Sequence, residues 1–221
     1  INPLCQIIVY SAVFSVIFKV NIEKFYLYLT IGMMPWVFFN TSIQGGSTCI
    51  RAQADMVKKI YFPREVIPIS YVTSAFVNML LSFIIVFGVI LLSGWGISLS
   101  VLPYLPLIMI IEYLLALGIA FVVSAVTVYF RDLEQIVGVL MMAWIYLTPI
   151  MYDMDYIPEQ LRSLFYINPM TPIIIAYHDI LYYRVAPTTQ CLLQSGLTSL
   201  FFLVLGFGLF RRLDRNFAEE L

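Results

Sequence analysis

Residues 66–111, VIPISYVTSAFVNMLLSFIIVFGVILLSGWGISLSVLPYLPLIMII, contain no charged side chain. As a helix this stretch would be about 70 Å long, whereas the hydrocarbon core of a bilayer is about 30 Å thick. It is therefore long enough for two membrane crossings, and Ser93-Gly94-Trp95-Gly96 supplies the residues of a turn between them. We predict one span over residues 67–92 and the next over residues 103–130, where Arg131-Asp132 ends it.

The composition of the whole chain is typical of a protein that is solvated by lipid. The 221 residues are 62% hydrophobic and 11% charged, whereas soluble domains are roughly half apolar and about a quarter charged. A soluble chain of this size has too much surface for its volume to bury so many apolar side chains. The formal net charge of −1 provides no basic face for nucleic acid, so we expect no nucleic-acid partner.

Four further apolar stretches bring the predicted number of membrane spans to about six. They are residues 1–18, 25–50, 135–152 and 191–210, each followed by charged residues. Residues 153–190 are interrupted by prolines and charges, so we predict one or two short helices there, re-entrant or at the interface. The predicted fold is therefore an all-α integral membrane protein with about six transmembrane helices and short helices on the outer side.

The positions of Lys and Arg predict the orientation. Cytoplasmic loops carry an excess of these residues, so the termini and the polar loop 51–65 are predicted to be cytoplasmic, and residues 153–190 to face outward. Eight basic residues then lie on the cytoplasmic side and four on the other. The eight are Arg51, Lys58, Lys59, Arg64, Arg131, Arg211, Arg212 and Arg215, and the four are Lys19, Lys24, Arg162 and Arg184.

The sequence contains no motif of a catalytic, cofactor or metal site. It has no Gly-rich phosphate loop followed by Lys, no HExxH and no nucleophile elbow. We therefore expect no catalytic residue, cofactor or metal in this chain. Asp153 and Asp155, together with His178, could form an acid/base site near the outer face, but a solvated loop is the simpler interpretation.

Glu112 and several aromatic residues are candidates for a transport path. Glu112 is the one acidic residue inside a predicted span, and a charge in lipid is costly unless it faces protein or a polar path. Because it follows Pro106 closely, we place it near the outer interface, where snorkelling would relieve much of the cost. Aromatic rings can stack on the C–H surface of a sugar, although packing and interfacial belts also explain such rings. The rings are Trp36, Phe38, Phe39, Trp144, Tyr146 and Tyr152.

Two loops on the predicted cytoplasmic side have the composition of a docking surface. Residues 55–65 combine charges with an aromatic pair, and aromatic residues and Arg dominate the hot spots of interfaces. Residues 131–134 form the second loop, which a plain solvated turn explains almost as well. The candidate docking residues are Asp55, Lys58, Lys59, Tyr61, Phe62, Pro63, Arg64, Glu65, Arg131 and Asp132.

Seven short stretches stand in order along nearly the whole chain. They are INPL (1–4), PWVFF (35–39), KKIYFPREV (58–66), YFRDL (129–133), TPIMY (148–152), NPMTP (168–172) and FRRL (210–213). With these stretches the chain resembles the permease subunits of ABC-2 type transporters, in particular the exporters of O-antigen, capsule and teichoic acid polysaccharides. Each stretch alone is weakly specific, and their order and spacing make the resemblance specific.

The resemblance implies one ABC-2 transmembrane domain over residues 1–221, expected to lack the interfacial helix that precedes the first span in this family. It implies a homodimer in the bacterial cytoplasmic membrane that binds two soluble ATPase subunits, which would hold ATP and Mg²⁺. Lys58–Glu65 would dock to the ATPase, and Arg131-Asp132 would belong to a second contact. Residues 153–190 would form re-entrant helices at the outer mouth, and the aromatic rings would guide a lipid-linked glycan outward.

Three alternatives remain open at this point. An ABC-2 permease could instead export a drug or a simple lipid, although the aromatic spans and the broken outer segment favour a glycan. A membrane-embedded transferase acting on lipid-linked sugars would need an acid/base cluster at one face, for which Asp153, Asp155 and His178 are the candidates. An ion channel would need a ring of charges or a carbonyl filter, and the sequence shows neither.

Overall fold

A computed structural model describes residues 22–60 and 62–220, and the predicted span 1–18 lies outside these ranges. The described residues form helices and connecting turns, without a strand, which confirms the prediction of an all-α membrane protein. The α-helices are α1 (Phe25–Ala52), α2 (Ala54–Lys59), α3 (Val66–Leu92), α4 (Tyr104–Tyr129), α5 (Leu133–Trp144), α6 (Glu159–Ile167), α7 (Met170–His178), α8 (Thr189–Leu213) and α9 (Phe217–Glu220).

Three of the described helices are long and apolar enough to cross a membrane. They are α3, α4 and the helix Thr189–Asn216 that contains α8, and they match the predicted spans 67–92, 103–130 and 191–210. Helix α1 matches the predicted span 25–50 and continues through Pro35 over 28 residues. The polar sequence NTSIQGGSTC in its second half lowers its hydropathy, and most of its residues are buried inside the protein.

The helix in the predicted fifth span, residues 135–152, is shorter than expected. It covers Leu133–Leu147, whereas a crossing needs about 20 residues. Thr148 ends it with an extended backbone (φ −114°, ψ 132°), the conformation that a following proline favours. The described residues therefore do not confirm six complete spans.

Helices α4 and α8 pack against each other with almost no space between their backbones. A Cβ atom at Gly118 would lie 2.5 Å from the backbone nitrogen of Leu203, and one at Gly206 would lie 2.1 Å from the carbonyl oxygen of Gly118. Small residues permit such close approach between membrane helices. At the ends of the same two helices, the Tyr129 hydroxyl donates to the Leu213 carbonyl at 2.9 Å, so α4 and α8 run in the same direction.

The ends of the long helices form two opposite faces. The charged face comprises residues 51–60, 62–66, 130–134 and 211–220, which are joined by an Arg51–Glu134 ion pair at 3.3 Å and an Arg211–Glu65 ion pair at 3.6 Å. The aromatic face comprises residues 22–24, 93–103 and 148–188. The loops predicted to be cytoplasmic thus share one face, and those predicted to be external share the other.

Residues 153–190 contain the short helices α6 and α7, as predicted, and a π-helix over Asp179–Tyr183 extends α7. Asn168 fixes the break between α6 and α7 against the end of α5. Its Oδ1 accepts from Trp144 Nε1 at 2.9 Å, and its Nδ2 donates to Thr148 Oγ1 at 2.9 Å. Helix α7 is almost entirely buried, which is the condition under which a short helix is tolerated at membrane depth.

Candidate functional site

The charged face contains a groove of about 650 Å³ beside α2. Helix α2 buries Val57 and turns its charges outward, where the Asp55 side chain is 94% exposed and pairs with Lys59 at 3.5 Å. An exposed pair of this kind contributes little to stability, so the charges remain available to a partner. The groove is lined by Val57, Lys58, Lys59, Ile60, Phe62, Pro63, Arg64, Glu65, Asp214 and Arg215.

The segment that follows α8 forms the other wall of this groove. The Arg64 guanidinium donates to the carbonyl oxygen of Asp214, next to the Arg211–Glu65 ion pair already described. Phe217 is fully buried, with its ring centroid 5.5 Å from that of Phe210 in α8. The loop after α2 is therefore attached to the end of α8, a contact that local sequence reasoning did not find.

Both predicted docking loops lie on the charged face. Arg131 and Asp132 are exposed in the turn between α4 and α5, and Arg131 lines a cavity of about 240 Å³ together with Arg51. The Arg51–Glu134 ion pair links this turn to the end of α1. Tyr61 lies outside the described residues. The docking role of the two loops stays a prediction.

Residues 1–182 match the family model described as ABC-2 type transporter. The chain belongs to the ABC-2 type transporter family. It is 30% identical to the O-antigen export system permease protein RfbA of Myxococcus xanthus over 223 residues, which cover 100% of this chain and 85% of that protein. A protein with the same printed name from Klebsiella pneumoniae is 30% identical over 220 residues, again covering 100% of this chain and 85% of the relative.

Membership of the ABC-2 family makes the chain a membrane component of a transporter. Components of this kind pair with an ATP-binding subunit.

The candidate path residues of this ABC-2 chain lie partly inside the protein and partly at its surface. In α1, Trp36, Phe38 and Phe39 are 3%, 2% and 0% exposed and pack inside the protein. The Phe39 ring centroid lies 5.6 Å from that of Trp144, so the structure brings these two candidates together.

Three further candidates lie at the end of α5. Trp144 lines an apolar groove of about 490 Å³ between α5 and α6. Tyr146 is 61% exposed, and the Tyr152 hydroxyl donates to its carbonyl oxygen at 2.7 Å. Trp144 therefore connects the buried rings of α1 to a surface of the ABC-2 chain. A substrate path along these rings stays a prediction.

Glu112 lies apart from the candidate aromatic rings, and the expectation that its side chain snorkels to the interface is wrong. The residue is 0% exposed, so it does not snorkel. Its Oε2 accepts a hydrogen bond from the Tyr177 hydroxyl at 2.6 Å, and its Oε1 has no hydrogen-bond partner among the described residues. Glu112 thus ties α4 to the buried helix α7. Tyr177 was missed because it is distant in sequence.

The three residues considered for a transferase are not assembled into one cluster. The Asp155 side chain is 87% exposed and pairs with Arg162 at 3.3 Å. Asp153 and His178 line a cavity of about 120 Å³, but the His178 ring stacks on Tyr28 with centroids 3.7 Å apart. The ring nitrogen Nε2 of His178 lies 3.1 Å from the Tyr28 carbonyl oxygen. This arrangement favours a packing role for His178 over acid/base chemistry.

Asp179 lines the same small cavity and was not singled out from the sequence. Burial, and to a smaller extent the nearby Asp153 carboxylate, raise the pKa of Asp179 to about 6. Asp153 itself accepts a hydrogen bond from the Tyr183 hydroxyl. Within residues 22–60 and 62–220, no group of three or more His, Cys, Asp or Glu side chains is placed to hold a metal ion.

Proposed function

We propose that this chain is the transmembrane permease subunit of an ATP-driven exporter that moves a lipid-linked polysaccharide across the bacterial cytoplasmic membrane. The observation that carries the proposal is the similarity over the whole chain to two proteins named O-antigen export permeases. The polysaccharide would be of the O-antigen, capsule or teichoic acid type. In this proposal the charged face and the termini are cytoplasmic, and the aromatic face is external.

The charged face would bind the ATPase. Its groove combines exposed charges on α2 with Ile60, which is 57% exposed, and with the half-buried Phe62. An apolar centre with a charged rim is the usual anatomy of a protein interface. We propose two copies of the chain and two ATP-binding subunits per exporter, with ATP and Mg²⁺ held by those subunits and no catalytic residue in this chain.

The attachment of the docking loop to α8 suggests how ATP hydrolysis would be coupled to transport. A partner that binds the groove contacts Arg64 and Glu65, which are bonded to the residues at the end of α8. Because α8 and α4 are in backbone contact at Gly118 and Gly206, a shift of the loop would move the two helices together. An ATPase can change the conformation only through contacts that differ between the two states.

The proposed substrate requires a sheltered path. The polar body of a lipid-linked polymer is rejected by lipid, because its hydroxyl groups would lose their hydrogen bonds to water. Rings and hydroxyl groups at the end of α5, such as Trp144, Tyr146 and Tyr152, would provide such a path where two protomers meet. The lipid carrier would occupy the apolar surface beside it.

Ile60→Asp and Phe62→Asp are expected to weaken binding of the ATPase by about thirtyfold, as is typical when a hot spot is lost. The measurement is co-purification of the ATPase with the tagged chain from native membranes, quantified by mass spectrometry. Leu99→Asp is the matched control, because Leu99 is 80% exposed on the aromatic face. Wild-type recovery of the ATPase with both Asp variants would contradict the docking proposal.

A further inference from the structure

Two basic residues on the aromatic face are not explained by the transport proposal. Four basic residues oppose the charge bias that predicts the orientation, and Lys19 lies outside the described residues. Arg162 pairs with Asp155 at 3.3 Å. For Lys24 and Arg184, no carboxylate of the described residues lies within ion-pair distance. Their charges are therefore not neutralised by an ion pair within the part of the chain that the structure describes.

The two charges are gathered on one aromatic ring. Lys24 Nζ lies 5.0 Å from the centroid of the Trp95 ring, and the guanidinium carbon of Arg184 lies 5.4 Å from it. Trp95 is itself held in place by Tyr182, whose ring is stacked on it at 5.1 Å and whose carbonyl oxygen accepts from Trp95 Nε1 at 2.9 Å. Cation–π contacts of this kind hold cations at partly desolvated positions.

The backbone holds both cations in a defined position and leaves donors free. Lys24 Nζ donates to the Ser93 carbonyl at 2.8 Å, and Arg184 Nη1 donates to the Trp95 carbonyl at 2.9 Å. An ammonium group has three donors and a guanidinium group has five, so most donors of the pair are not used by these bonds. Lys24 and Arg184 have φ angles of 47° and 60°, a conformation that is costly for residues with a side chain.

Two like charges at one ring repel each other, and an anion that contacts both would relieve that repulsion. The acidic residue nearest to Lys24 in sequence is Glu23, whose side chain is exposed. The backbone carbonyl oxygen of Glu23 accepts a hydrogen bond from the Tyr182 hydroxyl. Gly96, with φ 80°, leaves the space beside Arg184 open, since a Cβ there would approach Arg184 Nη1 only to 3.8 Å.

We propose that Lys24, Trp95 and Arg184 form a binding site for a phosphoryl anion at the membrane interface. Trp is enriched at this level of a bilayer, and the guanidinium group of Arg binds phosphate oxygens in a bidentate manner. Two kinds of molecule carry a phosphoryl group at the membrane interface. One is the phosphate of an anionic phospholipid headgroup, and the other, which rests on the proposed function, is the diphosphate of a lipid-linked glycan.

The test is native mass spectrometry of the purified chain titrated with dioleoylphosphatidylglycerol, dioleoylphosphatidylcholine and farnesyl diphosphate. We expect the double variant Lys24→Gln/Arg184→Gln to bind phosphatidylglycerol, farnesyl diphosphate or both on the order of tenfold more weakly than wild type. Arg162→Gln is the matched control, because it removes an external charge that is already paired. Arg184→Lys, which keeps the charge, should retain most of the binding.

The two lipid probes separate the sources, since selective binding of phosphatidylglycerol indicates a headgroup and selective binding of the diphosphate indicates a substrate. A second measurement does not depend on the folding of any variant. Binding to the wild-type chain should weaken as NaCl is raised, because salt screens exposed charges. The proposal is overturned if neither anionic probe binds better than phosphatidylcholine, if the double variant binds like wild type, or if salt has no effect. None of these results depends on an ATPase or on transport.

Discussion

Gly206→Ala is expected to lower the apparent melting temperature of the chain in detergent strongly, whereas Gly208→Ala is expected to leave it unchanged or higher. The added Cβ at Gly206 would lie 2.1 Å from the carbonyl oxygen of Gly118, while one at Gly208 would have no atom of the described residues within 4 Å outside its own helical backbone. Overpacking costs about 1–3 kcal/mol where side chains can shift. Here the obstacle is the backbone of α4, so we expect at least the upper end of that range.

The measurement is the apparent melting temperature from size-exclusion chromatography after heating. Gly208→Ala is a strict control, because it makes the same chemical change two residues further along the same helix. Alanine is favoured over glycine in helices by about 1 kcal/mol, so the control should melt at or above the wild-type temperature. Equal melting temperatures for the two variants would show that α4 and α8 are not in backbone contact.

Tyr177→Phe is expected to destabilise the fold by about 1–3 kcal/mol, the typical cost of leaving a buried polar group without a partner. The Tyr177 hydroxyl is the hydrogen-bond donor to Glu112, and Oε1 of Glu112 already has no partner among the described residues. Removing the hydroxyl therefore leaves both carboxyl oxygens unsatisfied in a fully buried position. Tyr146→Phe is the matched control, because Tyr146 is 61% exposed.

A double variant tests whether the effect of Tyr177→Phe comes from the loss of its hydrogen bond to Glu112. Replacing both partners of a buried hydrogen bond by apolar groups is much less costly than removing one, so Tyr177→Phe/Glu112→Met should melt at a higher temperature than Tyr177→Phe. The same heated size-exclusion measurement applies. If Tyr177→Phe/Glu112→Met instead melts at a lower temperature than Tyr177→Phe, Glu112 contributes to stability through a contact other than that with the Tyr177 hydroxyl.

The long helices could be predicted from the sequence because charged residues, or the uncharged turn Ser93-Gly94-Trp95-Gly96, bound each apolar run. Residues 67–92 and 103–130 were expected as spans, and α3 and α4 begin and end within one residue of those limits. The short helix α5 shows the limit of this approach. Its apolar run continues to Tyr152, but Pro149 stops the helix at Leu147. The length of an apolar run therefore does not give the length of the helix when the run contains a proline.

The contacts that define the candidate sites could not be predicted in the same way, because they join residues far apart in the sequence. Glu112 was recognised as unusual, yet its partner Tyr177 lies in a segment whose depth in the membrane depends on tertiary packing. In the sequence, nothing distinguishes Gly118 and Gly206 from the other glycines of the chain, because their close approach depends on how α4 and α8 pack. That the two docking loops share one face could be predicted, because two predicted membrane crossings separate them in the sequence.

Export of a lipid-linked polysaccharide by this chain together with an ATPase is tested most directly in cells from which its gene has been deleted. The amount of polysaccharide at the cell surface would be measured by antibody labelling of intact cells, and the internal pool by labelling after lysis. Deletion should block surface display and cause internal accumulation. The wild-type chain should restore display, and neither Ile60→Asp nor an ATPase lacking its phosphate-binding lysine should do so. Normal surface polysaccharide in the absence of the chain would contradict the account.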